Sequence, residues 1–111
     1  MDIQTTIKQQ IAENKVILYM KGSPNAPQCG FSQRASQLLM GCGQRFAYVD
    51  ILSNPEIRAE LPKIANWPTF PQLWVNGELI GGCDIITEMH ESGELKPLID
   101  AAAGGAEAEQ S

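Results

Sequence analysis

The spacing of apolar residues predicts a helix and then a strand at the start of the chain. Ile3, Ile7 and Ile11 recur every four residues in an otherwise polar segment, which is typical of an amphipathic helix ending near Asn14. Residues 16–20 (VILYM) are continuously apolar, too few for a buried helix, and rich in strand-forming types. We therefore expect residues 16–20 to form a central strand that is covered on both faces.

A second helix is predicted after residues 22–28 (GSPNAPQ), a segment dense in turn formers. One face of this helix carries apolar residues, namely Phe31, Ala35, Leu38 and Leu39. Either Gly41 or Gly43 is expected to end the helix. Cys29 is therefore predicted to lie at the N-terminus of this helix or just before it.

A second strand and a third helix follow. Residues 46–51 favour a strand, and Asn54 and Pro55 suit the N-cap and the first position of a helix. Pro62 lies inside the helical pattern, where it lacks an N–H group and clashes with the preceding turn. We therefore expect two short helical pieces rather than one helix.

A hairpin is predicted around Asn76-Gly77, because this dipeptide suits the two positive φ angles of a type I′ turn. Its strands are expected at residues 72–75 and 78–80, and two further helices at residues 85–89 and 95–99. The order is a helix followed by β-α-β-α-β-β-α-α. It predicts an α/β fold with a mixed four-stranded sheet flanked by helices, in which the first two strands are parallel.

Composition disfavours two classes of partner. The chain has 111 residues, enough for one core, and a net charge of -5 without any run of Lys or Arg. Nucleic acids and anionic membrane surfaces both need a cationic footprint, so neither is expected as a partner. The N-terminus lacks the pattern of a signal peptide, and no later run is long enough to span a bilayer. We expect a cytoplasmic protein that binds small solutes and other proteins.

The cysteines must be judged one at a time, because Cys29, Cys42 and Cys83 lack the spacing of a disulfide framework or a structural zinc site. In residues 29–32 (CGFS) a hydroxyl stands where a redox dithiol has its second sulfur, so the second sulfur must come from elsewhere. The helix N-terminus, and Lys21 at the end of the preceding strand, favour a thiolate at Cys29.

Three other polar or sulfur-containing residues are not expected to act as ligands or as reactive thiols. Ser32 can cap the helix but can be neither a thiolate ligand nor a resolving group. Cys42 ends a helix between two glycines and is expected to be a packing residue. The lone His90 has no companion ligand, so we expect it to face solvent rather than a metal.

Four motifs in order resemble a monothiol glutaredoxin of the CGFS type, of the single-domain bacterial kind. They are residues 29–32 (CGFS) after the strand and Lys21, residues 67–71 (WPTFP), the Asn76-Gly77 hairpin, and residues 81–84 (GGCD). The resemblance implies a thioredoxin-like fold with a glutaredoxin domain over residues 1–103. Residues 104–111 form a small, acidic tail that we expect to be disordered.

The resemblance also implies that glutathione supplies the second sulfur, which calls for groups that recognise two carboxylates and one ammonium. Arg58 can hold a carboxylate with a bidentate fork, and Lys21 or Lys63 can assist. Solvated surface charge is the alternative for Arg58 and Lys63.

The backbone of glutathione has its own predicted partner in Thr69, Phe70 and Pro71, which resemble the family's loop before a cis-proline. Such a loop leaves the backbone of Phe70 free to pair with the ligand like an added strand. A trans proline in an ordinary turn is the alternative.

The start of the following helix is expected to bind the γ-glutamyl end of glutathione. Exposed N–H groups near Gly82 can bind its carboxylate, while Asp84 meets its ammonium group or caps the helix. The resemblance implies a backbone contact from Cys83. The thiol of Cys83 either pairs with Cys29 under oxidation or is a spectator.

Two functions fit these residues. A 2Fe-2S cluster commonly takes four thiolates, which two copies of Cys29 and two glutathione sulfurs can supply, giving a cluster-bridged homodimer and an apo monomer. The resemblance implies cluster storage or delivery to apo iron-sulfur proteins, often with a BolA-type partner. The alternative is a glutathione-dependent oxidoreductase with Cys29 as nucleophile. The residues alone leave these two nearly even, and the resemblance favours the cluster carrier; a plain interaction domain ranks last.

Overall fold

The computed structural model describes residues 2–104 as alternating helices and strands. The elements are α1 (Ile3–Glu13), β1 (Val16–Met20), β2 (Gly22–Ser23), β3 (Ala26–Pro27), α2 (Gly30–Gly41), β4 (Ala47–Asp50), α3 (Pro55–Ala65), β5 (Gln72–Val75), β6 (Glu78–Gly81), α4 (Cys83–Ser92) and α5 (Leu95–Ile99). A π-helical turn, Asp100–Gly104, continues the last helix. The short β2–β3 hairpin was not predicted within the turn-rich segment.

The main sheet has the strand order β4-β1-β5-β6. Strand β1 is parallel to β4, with Ile17 opposite Ala47, and antiparallel to β5, with Ile17 opposite Trp74. All five residues of β1 are buried, as expected for a strand covered on both faces. The predicted mixed four-stranded sheet with a central first strand is therefore confirmed.

The hairpin between β5 and β6 is also confirmed. Asn76 and Gly77 both adopt positive φ angles, of 53° and 81°, as a type I′ turn requires. The backbone N–H of Asn76 donates to the carbonyl of Lys15 at 2.8 Å, which ties the turn to the residue before β1.

Two hydrophobic cores lie on opposite faces of the sheet, because alternate side chains of β1 point to opposite sides. Leu18 and Met20 pack under α2, α4 and α5, together with Leu39 and Ile86. On the other face Ile17 and Tyr19 pack under α1 and α3, with Ile7 and Leu61 among their neighbours. Each helix thus buries its apolar stripe against one face of the sheet.

The prediction that Pro62 divides the third helix is wrong. Helix α3 runs without a break from Pro55 to Ala65. Leu61 is fully buried on one side of the proline, and Ile64 packs against the same core on the other. Tertiary packing therefore holds both halves in line despite the missing backbone hydrogen bond.

Two smaller expectations about the helices also need correction. Phe31 does not face the core: its side chain is 64% exposed, and the buried face of α2 begins instead with Ser32. Asn54 occupies the N-cap position of α3, but its side chain makes no capping bond and donates to the carbonyl of Asp50 at 2.8 Å.

The end of the described chain is helical. The π-helical turn that follows α5 carries Ala102, which is buried in the core under α2. The predicted disordered tail of residues 104–111 lies, beyond Gly104, outside the described residues. Among the helices described here, none combines the length and apolar character needed to cross a bilayer.

Asp50, at the end of β4, binds the backbone of the segment that follows β1 and begins at Lys21. Its Oδ1 accepts hydrogen bonds from the backbone N–H groups of Gly22 and Leu52, both at 2.9 Å, and its Oδ2 accepts from the Ser53 hydroxyl at 3.0 Å. Partial burial opposes ionisation, but these hydrogen bonds outweigh it and lower the pKa of Asp50. Since Gly22 directly follows Lys21, the carboxylate anchors the start of the turn-rich segment.

Replacing Asp50 by Ala should lower the free energy of unfolding by about 1 to 3 kcal/mol at neutral pH, because one carboxylate satisfies three donors. Since the folded-state pKa is depressed, this stabilisation is complete above the unfolded pKa of about 4 and is lost as pH falls through the folded pKa. Urea unfolding of the unmodified protein and of Asp50→Ala, at neutral and at strongly acidic pH, measures the loss of unfolding free energy at each pH. Glu91→Ala, which removes an exposed carboxylate, is the control; an equal loss for Asp50→Ala at both pH values would contradict the assignment.

Candidate functional site

Cys29 is the N-cap residue of α2, as the sequence predicted. Its Sγ accepts a hydrogen bond from the backbone N–H of Ser32 at 3.3 Å. The side chain is partly exposed. Cys29 therefore presents its sulfur to solvent at the positive end of a helix, which favours the thiolate.

Ser32 has a role that the sequence did not reveal. It is fully buried, and its Oγ accepts a hydrogen bond at 3.0 Å from the backbone N–H of Lys21 at the end of β1. The same Oγ lies 3.5 Å from Cys29 Sγ. Because its oxygen is engaged by Lys21, its own hydrogen is free to point at the sulfur. Ser32 does not cap the helix but joins the central strand to the thiol.

The environment of Cys29 lowers the pKa of its thiol. Partial burial is the largest single influence and works against ionisation. It is outweighed by the Ser32 hydroxyl, the backbone N–H groups of Ser32 and Phe31, and the positive charge of Lys21. The site therefore stabilises a thiolate, the form that acts as nucleophile and metal ligand.

A groove of about 640 Å³ lies beside the thiol. Its lining includes eight residues that were predicted from the sequence to bind glutathione: Lys21, Arg58, Thr69, Phe70, Pro71, Gly82, Cys83 and Asp84. Cys29 does not itself line the groove, but Phe31, on the first turn of its helix, does. The structure thus gathers residues from five separate stretches of the chain around one cleft.

One proposed cation is not part of this groove. Lys63 is exposed and pairs with Glu60 at 3.1 Å, one turn away on α3. The suggestion that Lys63 assists Arg58 is therefore not supported. Within residues 2–104, neither Arg58 nor Lys21 forms an ion pair, so both positive charges are available to a ligand.

The loop at residues 67–71 forms one wall of the groove. The peptide bond between Phe70 and Pro71 is cis, as the sequence analysis expected. In the described part of the chain, the backbone N–H and C=O of Phe70 make no hydrogen bond. An extended ligand can therefore pair with Phe70 as an added strand.

The N-terminus of α4 also lines the groove and lies directly against the 67–71 loop. Its N-cap is Gly82, and the cap has no side-chain hydrogen bond, so Asp84 does not cap the helix. A Cβ atom at Gly82 would lie 3.1 Å from the carbonyl oxygen of Pro71, which shows how closely the helix and the loop approach. Cys83 is a free thiol with its Sγ 4.0 Å from Thr87 Oγ1.

The remaining candidates lie outside the groove. Cys42 is buried, its Sγ is 3.5 Å from the carbonyl oxygen of Leu38, and burial raises the pKa of its thiol, as suits a packing residue. His90 is exposed on α4. Residues 2–104 contain no group of three or more His, Cys, Asp or Glu side chains placed to hold a metal ion.

Known proteins resemble the chain in sequence and in structure. The glutaredoxin family model matches residues 16–80. Glutaredoxin 4 of Escherichia coli (strain K12) is 65% identical over 104 residues, covering 94% of this chain and 90% of that protein. The solution structure of reduced poplar apo GrxS14 aligns with a TM-score of 0.77 at 44% identity, covering 90% of this chain and 92% of the other. A crystal structure of a buckwheat glutaredoxin-glutathione complex aligns with a TM-score of 0.76 at 25% identity, covering 88% and 87%.

A mixed sheet between helices, with a thiol at a helix N-terminus and a groove beside it, defines a thiol protein of the thioredoxin-like class. Within that class, the chain belongs to the glutaredoxin family. It is a monothiol member, because Ser32 occupies the position of the second thiol in a C-x-x-C pair.

Replacing Ser32 by Ala should raise the pKa of Cys29, because the sulfur loses its hydroxyl donor while keeping the backbone N–H. Alkylation of Cys29 by iodoacetamide near neutral pH should slow by about threefold to tenfold, since the thiolate is the reacting form. Peptide mass spectrometry across a pH series measures the rate at Cys29 alone.

Ser36→Ala is the matched control for this experiment. Ser36 is also fully buried on α2, but its hydroxyl donates to the carbonyl of Gln33 at 3.1 Å. Its alkylation profile should follow that of the unmodified protein. A Ser32→Ala profile that also follows the unmodified protein would show that Ser32 does not stabilise the thiolate.

Proposed function

We propose that this protein binds glutathione in the groove and, through Cys29, carries a 2Fe-2S cluster shared between two chains. The observation that carries the proposal is the pairing of one stabilised thiolate with a groove whose charges suit glutathione. The thiolate supplies one sulfur, and a ligand in the groove supplies the sulfur that the chain lacks.

The charges of the groove complement those of glutathione. Glutathione carries two carboxylates and one ammonium group, and the lining offers the cations Arg58 and Lys21 and the anion Asp84. The unpaired amides at the start of α4 can bind the γ-glutamyl carboxylate while Asp84 binds the neighbouring ammonium. A volume of about 640 Å³ is in the ordinary range for small-molecule sites. The buckwheat relative was solved as a glutathione complex with a similar fold.

Arg58→Gln should weaken glutathione binding by about tenfold, because the side chain loses its charge and its bidentate fork. Isothermal titration calorimetry measures the affinity. Arg34→Gln is the control, since Arg34 is exposed on α2 and does not line the groove. Equal losses for the two variants would assign the effect to net charge rather than to the groove.

The cluster needs two chains, because the thiols of one chain cannot provide four ligands at the site. The chain has three cysteines, fewer than the four thiolates required, and Cys42 is buried in the core. Of the other two, Cys29 is the one whose sulfur lies at the N-terminus of α2 with a lowered pKa. One Cys29 and one glutathione sulfur from each half complete four thiolates. Phe31, 64% exposed beside Cys29, offers an apolar ring that a second chain can cover. Because two of the ligands are exchangeable, the cluster can be passed on to apo iron-sulfur proteins.

Anaerobic reconstitution with iron, sulfide and glutathione should give a visible chromophore and a dimer. Both should be absent without glutathione, which supplies half of the ligands, and both should be absent in Cys29→Ser. Absorption spectroscopy and size-exclusion chromatography measure the two outcomes.

Cys42→Ala is the matched control for the reconstitution, since it removes a thiol buried in the core and should retain the chromophore and the dimer. A chromophore and dimer that persist in Cys29→Ser, or that form without glutathione, would overturn the shared-cluster proposal. A BolA-type partner in a heterodimer and a cytoplasmic location stay predictions from the sequence.

The lowered pKa of Cys29 also favours a second function, glutathione-dependent disulfide reduction. In that reaction the thiolate attacks the glutathione sulfur of a mixed disulfide and releases the substrate thiol. A second glutathione then resolves the enzyme-bound disulfide, giving oxidised glutathione. Substantial turnover that Cys29→Ser abolishes, without cluster formation in the unmodified protein, would favour this function over the carrier.

A further inference from the structure

Gln72, the first residue of β5, directly follows the groove-lining residue Pro71 and is fully buried. Its side-chain Nε2 donates to two carbonyl oxygens of the preceding loop, that of Trp67 at 3.1 Å and that of Thr69 at 3.3 Å. Its Oε1 accepts a hydrogen bond at 3.2 Å from the indole N–H of Trp74. Every polar atom of the buried amide is therefore engaged.

The orientation of this amide is fixed by its partners. The two loop carbonyls are acceptors, so only the NH₂ end of Gln72 can face them, and the indole N–H of Trp74 requires the oxygen at the other end. The backbone of Gln72 is held as well, because it pairs with Tyr19 on the central strand. Gln72 thus connects the rigid sheet to a loop that has no strand partner of its own.

That loop carries five consecutive groove-lining residues, 67–71, whereas Gln72 does not line the groove. The loop packs closely against the start of α4, since a Cβ atom at Gly82 would lie 3.1 Å from the carbonyl oxygen of Pro71. It also sets where the unpaired backbone of Phe70 meets a ligand. A displacement of the loop would therefore move the backbone of Phe70 relative to the N-terminus of α4.

We infer that Gln72 is a positioning residue: its amide holds the 67–71 loop at the depth that glutathione requires and so sets the affinity for glutathione without contacting it. The inference rests on the proposed glutathione site. Gln72 thereby differs from Ser32, whose hydroxyl lies 3.5 Å from the sulfur of Cys29 and acts on the thiol directly. The two buried side chains should therefore have separable effects.

The experiment compares Gln72→Met and Gln72→Glu with the unmodified protein. Methionine has no donor, and glutamate can donate at most one hydrogen bond where glutamine donates two, so both variants loosen the loop. Each should bind glutathione about fivefold to tenfold more weakly by calorimetry. The pH profile of Cys29 alkylation by iodoacetamide should not change, because the lost hydrogen bonds hold the loop and none of them involves Cys29.

Ile99→Val is the control for general destabilisation, since Ile99 is a fully buried core residue on α5 away from the groove. Its glutathione affinity should stay within about twofold of the unmodified protein. Folded Gln72 variants that retain full affinity would overturn the inference. The inference would also be overturned if Ile99→Val lost as much affinity for glutathione as the Gln72 variants.

A measurement without glutathione separates this inference from the proposed function. In ¹H-¹⁵N spectra of the free protein, Gln72→Met should shift the indole resonance of Trp74, which loses its acceptor, and the loop amides of Thr69 and Phe70. The amide resonance of Ser32 should stay unchanged. Absence of those loop shifts overturns the positioning role whatever the protein binds. Failure of the unmodified protein to bind glutathione, with the loop shifts present, overturns the proposed glutathione site instead.

Discussion

The hydrogen bond between the buried Ser32 hydroxyl and the backbone N–H of Lys21 joins the end of the central strand to the first turn of α2. The same oxygen lies 3.5 Å from the sulfur of Cys29. Because the contact is shielded from water, its geometry is well defined and its electrostatic effect on the sulfur is strong. Ser32 thus links the strand end at Lys21 to the thiol, and its hydroxyl, together with the backbone N–H groups of Ser32 and Phe31 and the charge of Lys21, lowers the pKa of Cys29 against the effect of partial burial.

A second buried polar residue, Gln72, organises the other side of the site. Ser32 orders the thiol and Gln72 orders the loop, and both side chains are fully buried with their hydrogen bonds satisfied. The residues available to a ligand, such as Arg58 and the backbone of Phe70, are in contrast left without partners in the described part of the chain. These two buried polar side chains therefore hold the site in place, while the groups that line the groove stay free to bind a ligand.

The sequence was most informative where a single local rule decides the structure. The apolar run of β1 and the Asn76-Gly77 turn needed no tertiary information, and eight residues singled out by the motif resemblance line one groove. Hydrophobic periodicity failed for Phe31, which is exposed because a serine with a backbone partner fills the core position next to it. Helix rules failed at Pro62, where packing on both sides keeps α3 continuous. Gln72 was missed because its importance lies in hydrogen bonds that a spacing pattern does not show.

The proposed glutathione site is tested most directly by a solution structure of the reduced protein with reduced glutathione, solved with intermolecular nuclear Overhauser effects. Binding in the groove should give contacts from the cysteinyl backbone of glutathione to Phe70, from its γ-glutamyl end to Asp84, and from its thiol-bearing carbon to Cys29. A glutathione bound outside the groove, or bound within it with its sulfur turned away from Cys29, would contradict the proposed site.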